Sequence, residues 1–287
     1  KLKTPTVKIL VLFLLIVSSS FCQFNPGAKQ IGMANSDVAL SNDAFTLFTN
    51  PAGLSQLNWR ELGIFYSPSP FGVSELANGF IAFHEPTEYG SFAFGAMSYG
   101  FELYRENKFL LGYSYKYLNK YFIGLSVGYH TVSIKRYGDD NAFILNLGGL
   151  IYIFDELRWG FALSNVNRAT WGKEKDQIPV LLNSGFSYDV INNLSLNLAV
   201  EKEINYKPSL QFGVAYNIVD FFGIRTGFST EPDRYCAGVG INYSYFQFDY
   251  SVFHHAELGF THQFGLLFSS EELVNRGNKI REYLKIY

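Results

Sequence analysis

The sequence predicts an all-β fold: a transmembrane antiparallel β-barrel of about fourteen strands, with an N-terminal hatch and a short C-terminal tail able to turn helical. Three observations predict it. The 287 residues include 28 Phe and 20 Tyr, yet the mean hydropathy is only +0.03. A helical membrane protein would be far more hydrophobic, whereas a barrel wall averages out because lipid-facing and lumen-facing residues alternate. A period of two runs through the chain from Trp59 onward, and successive side chains of a strand point to opposite faces. The polar face of these segments carries Gly, Ser, Asn and Gln in place of surface Lys and Glu, which suits a lumen better than bulk water. A soluble β-sandwich shares the alternation. It does not explain apolar faces that run out in aromatics at Tyr113, Tyr117, Trp159, Tyr188, Tyr216 and Tyr243, which read as interfacial girdles.

Residues 1–22 read as a cleaved export signal. Lys1, Lys3 and Lys8 form a basic start, and the apolar run 9–17 is too short to span a bilayer. Cleavage after Cys22 leaves the small residues Ser20 and Cys22 before the cut and starts the mature chain at Gln23. A lipoprotein reading, with Cys22 acylated, is opposed by the bulky Phe21. Cys236 then remains as one thiol without C-x-x-C spacing. Residues 23–58 lack the period of two and read as a hatch. Within them 37–47 reads as a short helix and Asn50-Pro51-Ala52-Gly53 as a turn, since proline sets its own φ and disfavours helix at the residue before it.

The wall is expected over 59–268. Its strands fall near 59–66, 78–86, 91–100, 108–118, 121–135, 141–154, 157–165, 180–190, 194–204, 208–218, 221–229, 234–243, 246–253 and 257–268. Face assignment is clearest in four of them. Leu194, Leu196, Leu198 and Val200 oppose Ser195, Asn197, Ala199 and Glu201. Leu210, Phe212, Val214 and Tyr216 oppose Gln211, Gly213, Ala215 and Asn217. Tyr235, Val239 and Ile241 oppose Cys236, Gly238 and Gly240, while Phe246, Phe248 and Tyr250 oppose Gln247, Asp249 and Ser251. An even strand count returns both wall ends to one side, read as periplasmic, with short turns there and longer loops at 67–77 and 166–179 outside. Residues 269–287 form a periplasmic tail. Ser269 or Ser270 can cap a helix with Glu271 and Glu272 in its first turn, and Gly277 weakens that helix.

Net charge is −2 and the pI about 6.2, so nothing basic points to nucleic acid. No P-loop, Rossmann fingerprint or hydrolytic motif stands out, and neither an enzyme, a cofactor nor a metal site is expected. His254 and His255, near Glu257, read as an exposed loop pair, and 137–141 as a turn by composition. Five charged or titratable residues fall on polar faces: Lys116, His130, Glu201, Arg225 and Asp249. Charges inside a barrel are paired or wet; these read first as a network anchoring residues 23–58 and second as a polar pathway or ligand site. The turn at Asn50, Pro51, Ala52 and Gly53 is the candidate gate. With Gly, Ser, Asn and Gln dominating the lumen faces, the sequence leans against an apolar route through the barrel.

The stretch Gly27-Ala28-Lys29-Gln30-Ile31-Gly32-Met33-Ala34-Asn35, then Val38-Ala39-Leu40, Asp43-Ala44 and Asn50-Pro51-Ala52-Gly53-Leu54, resembles the start of the PorV/PorQ family of outer-membrane proteins, part of the wider FadL-like group. Glu257-Leu258-Gly259-Phe260-Thr261-His262-Gln263-Phe264-Gly265-Leu266 resembles that family's closing strand. The resemblance implies a fourteen-stranded barrel with an N-terminal hatch, seated in outer-membrane lipid. For the PorV/PorQ branch it implies a binding and scaffold role in type IX secretion, with other secretion-system subunits or secreted proteins as partners. For the FadL branch it implies a transporter of a hydrophobic ligand. The chain is shorter than typical PorV, which implies shorter outer loops, and its tail departs from the family and leaves room for a periplasmic partner.

Overall fold

Segments of period two, separated by turn residues, pair in sequence order, each with the next. The structure, a computed structural model, describes residues 25–172 and 176–286; the expected export signal at 1–22 lies outside them. In chain order the strands are β1 (Glu61–Ser67), β2 (Asn78–Thr87), β3 (Gly90–Phe101), β4 (Tyr104–Tyr117), β5 (Tyr121–Ile134), β6 (Gly138–Tyr152), β7 (Leu157–Ser164), β8 (Thr170–Trp171), β9 (Asp176–Gln177), β10 (Leu181–Ile191), β11 (Leu194–Glu203), β12 (Ser209–Val219), β13 (Phe222–Thr230), β14 (Asp233–Tyr243), β15 (Phe246–His255) and β16 (Gly259–Ser269). Among the described residues, fourteen of them close into an antiparallel barrel, and β8 and β9 form a small ribbon between β7 and β10. The barrel shuts where β16 pairs back onto β1, from Glu61↔Ser269 to Tyr66↔Phe264, leaving no unpaired edge strand.

Strand ends differ from expectation mainly in two hairpins. The strand expected from Lys108 starts at Tyr104, and the one expected from Asn141 starts at Gly138. Pairing is made by the backbone, so these ladders run on past the point where apolar alternation fades into Arg105, Asp139 and Asp140. The four faces assigned from sequence alternate as expected: Asn197, Gln211, Cys236 and Asp249 are buried, while Leu198, Leu210, Tyr235 and Phe248 point outward. The outward face carries exposed Phe, Leu, Ile and Tyr all round the barrel, up to 78% exposed at Tyr243. Water tolerates no such continuous apolar surface on a monomer; it is the surface a bilayer covers.

The two ends of the barrel differ. One carries the tight connections at 118–120, 192–193 and 220–221, together with both ends of the wall. The other carries the two long connections, β1 to β2 and β7 to β10; among their described residues Phe71, Leu76, Trp171, Ile178 and Pro179 reach inward at the mouth.

Residues 25–57 lie inside the barrel. They hold a helix at Ala28–Gly32, a single turn at Thr46–Thr49 and a 3-10 segment at Pro51–Gln56. Residues 37–47 do not form the one helix expected of them. Ser41 turns its hydroxyl back onto the carbonyls of Asp37, 3.2 Å, and Val38, 3.0 Å, and such local bonds compete with a helix ladder. Inward-facing glycines let this segment lie directly on the wall. A Cβ on Gly124 or Gly148 would strike the Asn50–Ala52 backbone and side chain, one on Gly160 the backbone of Val38 and Ala39, and one on Gly227 the Met33 carbonyl carbon, 2.5 Å away.

The tail is also corrected. Its helix spans Arg276–Leu284, with Asn275 as N-cap at φ 58, and does not start at Ser269 or Ser270. Those serines are used otherwise: Ser270 Oγ accepts from Arg60 N and Ser269 Oγ from Glu271 N. The Leu273 amide then bonds Ser244 O at 2.8 Å, so the chain stays on the wall until Arg276. The helix folds back across the short-turn end with Ile280 and Leu284 buried, a neighbouring apolar surface outweighing the cost of Gly277.

Candidate ligand cavity

The hatch divides the lumen into two chambers of opposite character. At the long-loop end lies a cavity of about 380 Å³. Phe80 on β2, Met97 and Tyr99 on β3, Leu110 on β4 and Ile144 on β6 line its wall. Phe48 of the hatch lines it from below; Phe71, Leu76, Trp171 and Ile178 from the two long connections cover it. Aromatic edges set its shape: Phe48 meets Phe80 at 5.2 Å and Phe71 meets Phe253 at 5.8 Å between centroids. This departs from the expectation that Gly, Ser, Asn and Gln dominate the lumen faces and lean against an apolar route. The signal was present in β2 and β3, where Phe80-Ile81-Ala82-Phe83 and Phe92-Ala93-Phe94 are apolar on both faces. A wall strand reads that way only when the lumen, like the lipid, is apolar.

One side of the cavity is polar. Tyr104, Glu106 and Lys108 share the inner face of β4, and His130 stands opposite Lys108 on β5. Glu106 accepts from His130 Nε2 at 3.0 Å and from the Tyr104 hydroxyl. The His130 ring packs edge-on to Trp171 at 4.7 Å, and its Nδ1 is buried with no partner among the described residues. An apolar container with a few convergent polar groups is the usual form of a small-molecule site. Tyr104 and Glu106 escaped the sequence reading because they precede the apolar alternation of their strand.

The hatch is built around two side chains. Asn50 Oδ1 accepts from Ala52 N at 3.2 Å, capping the 3-10 segment; its amide donates to Val38 O at 2.7 Å and to Gly149 O of the wall at 3.2 Å. Pro51, Ala52 and Gly53 follow within that buried segment. Asp43 takes Gln30 Nε2 at 2.7 Å and pairs with Lys29 at 3.2 Å. Burial alone would raise the Asp43 carboxyl, but Lys29 and Arg276 hold it below the ordinary carboxylate range. No such cation outweighs burial at Asp37, whose carboxyl is pushed up to about 7, with Asp43 adding to the effect.

The other chamber, about 320 Å³, is polar and opens at the short-turn end between the hatch, β10–β15 and the tail helix, among Lys29, Arg158, Asp189, Arg225, Arg276 and Arg281. The five residues singled out from sequence do not form one site. His130 lines the apolar cavity. Arg225 pairs with Asp249 at 2.6 Å, with Gln247 donating to the second Asp249 oxygen, beside the hatch helix. Glu201 borders a small recess with Asp37 and Asn35. Lys116 lies at the tail, its ammonium 3.4 Å from the Tyr283 ring centroid. His254 and His255 close β15 and pack on Phe260 and Phe71. Among the described residues no group of three or more His, Cys, Asp or Glu side chains is placed to hold a metal.

No family model and no curated protein matches the chain. Solved structures do. The chain is similar to the toluene transporter TodX of Pseudomonas putida, with TM-score 0.61 and 12% identity over 86% of this chain and 98% of that one. It is similar to the toluene transporter TbuX of Ralstonia pickettii, with TM-score 0.62, 12% identity and the same coverage. A Pseudomonas aeruginosa FadL homologue aligns with TM-score 0.58 and 12% identity over 86% of this chain and 97% of that one. What these likenesses share with the chain is a fold, that of a closed antiparallel barrel.

Proposed function

We propose that this chain is a bacterial outer-membrane channel that takes small hydrophobic molecules into its apolar cavity and passes them by the hatch. The observation that carries the reading is the cavity itself: an aromatic and aliphatic chamber of about 380 Å³ under the long loops and above a built-in hatch. Its size suits a small organic ligand, and the barrels it resembles include two described as toluene transporters. In this reading the long loops face outward and the short-turn end, with the hatch entry and tail, faces the periplasm, as in other barrels of this class. The Tyr104–Glu106–His130 group and Lys108 orient the ligand, and Phe80, Met97 and Ile144 supply its apolar contacts.

The type IX secretion scaffold implied by the PorV/PorQ resemblance becomes the second reading. A scaffold that grips secreted proteins needs projecting loops, and here Phe71, Leu76, Trp171 and Ile178 of the long connections turn in over the mouth. Gene deletion separates the two: loss of hydrophobic-compound uptake with secretion intact supports the channel, and the reverse supports the scaffold. At the site, Met97→Asp sets a carboxylate on the apolar wall of the cavity, and toluene binding to the purified protein is expected to weaken by about 10-fold or more, because toluene would strip that carboxylate of its water. Toluene binding unchanged by that substitution would remove the cavity from the proposal.

A further inference from the structure

The tail does more than end the chain. Its nine-residue helix lies across the short-turn end and grips the hatch and wall together. Arg276 is the central tie. Its guanidinium pairs with the buried Glu61 carboxylate at the start of β1, and its Nε donates to Asn42 O of the hatch at 2.8 Å. The other Glu61 oxygen accepts from Ala44 N of the hatch at 2.7 Å. One buried carboxylate therefore joins wall, hatch and tail. Further along, Arg281 donates to Asp189 Oδ2 at 2.7 Å, while Arg158 holds Asp189 Oδ1 at 2.6 Å. Between these ion pairs Ile280, Leu284 and Ile286 pack against hatch residues Ala39, Ala52 and Leu57 and wall residues Phe122 and Leu150.

We propose that residues 271–286 are a latch that holds the hatch shut from the short-turn end, so that the hatch moves only when the C-terminal helix undocks. The geometry leaves the hatch little alternative. Its loop at Asn42–Ala44 is tied through Arg276 and Glu61, and the segment ending at Leu57 is covered by Ile280 and Leu284. The helix spends its whole apolar face on this contact. What it shows to solvent is Gly277, Asn278 and Glu282, with Glu271, Glu272 and Lys285 exposed on either side of it, a solvated face and not a docking stripe for a partner protein. The latch regulates the passage proposed above and rests on that reading for its purpose, though not for its test.

The test uses the full chain in two forms. Arg276→Gln with Arg281→Gln removes the ionic ties, and Ile280→Asn with Leu284→Asn removes the apolar contact. Hydrogen–deuterium exchange reads hatch and tail peptides, and conductance in planar bilayers reads the open lumen. In both variants the amides of 38–57 are expected to exchange about 10-fold faster or more once the tail is free, and ion-conducting openings become more frequent than in the unaltered protein. Tail amides that exchange freely while the hatch stays protected and the conductance stays unchanged would overturn the latch. If the Asn variant does not fold, the Gln variant, which leaves the apolar packing alone, decides by the same readouts. Toluene uptake into proteoliposomes separates the two proposals. No uptake by the unaltered protein, with hatch release in the variants, retires the channel and keeps the latch. Uptake by the unaltered protein, with a free tail over a rigid hatch, does the opposite.

Discussion

Single side chains hold the hatch, and the most exposed to pH is Asp37. Burial first, and Asp43 second, push its carboxyl up to about 7. An unfolded aspartate titrates near 3.9, so the folded hatch keeps a proton that the unfolded chain gives up over the interval from about 4 to about 7. The folded state then binds more protons, and stability falls as pH rises through that window and stays low above it. Hatch amides around 37–41 are expected to be less protected at pH 8 than at pH 5, after correction for intrinsic exchange. Asp37→Asn is expected to flatten that dependence; if the variant retains it, Asp37 is not its source. Asn50 acts by hydrogen bonding. Its one amide serves Val38 O, Gly149 O and Ala52 N together, and an orphaned buried carbonyl costs about 1–3 kcal/mol. The sequence marked Asn50 as a turn residue by its place before Pro51. Its contact with Gly149 joins positions far apart in the chain, and no local pattern encodes such a contact.

Among the elements, strands carry the hatch through what they lack. Gly124 and Gly148 face each other across β5 and β6, and together they make the flat place on which Asn50, Pro51 and Ala52 rest. Gly124→Val inserts a branched side chain into that contact, and overpacking of this kind costs about 1–3 kcal/mol. The ladder itself survives, because valine suits a strand. The expected outcome is a folded barrel with a displaced turn, read as faster exchange of 50–56 with the β5 amides unchanged. Equal protection of the turn in both proteins would mean that the wall yields instead. These glycines were legible as small lumen residues. Which of them bear the hatch was not, because parity along a strand says which face a side chain takes and nothing about what stands opposite. The tail helix has the same history. Its apolar positions were visible, while its start was set by Ser270 and Leu273 bonding to the barrel end.

For the whole molecule the decisive fact is closure. The β1–β16 ladder completes a ring of backbone hydrogen bonds, so unfolding in lipid or detergent must break a cooperative cylinder that has no free edge. The protein extracted in detergent and mixed with SDS is expected to migrate faster unheated than boiled. A single mobility for both samples, together with solubility in the absence of detergent, would count against a membrane barrel.

By itself the sequence determined the wall: about fourteen strands, their faces and the short turns between them. Each follows from a period of two, a local property that an apolar outer face and a small or polar inner face impress on most of the strands. Only the tertiary structure decided the contents of the lumen. It split the interior into an apolar cavity and a polar chamber, gathered Tyr104, Glu106 and His130 on one side of the first, and laid the tail across the hatch. The physical reason is that lumen chemistry is a sum over inward side chains from strands far apart in the chain. Alternation is read within one strand, and that sum exists only once the barrel has closed.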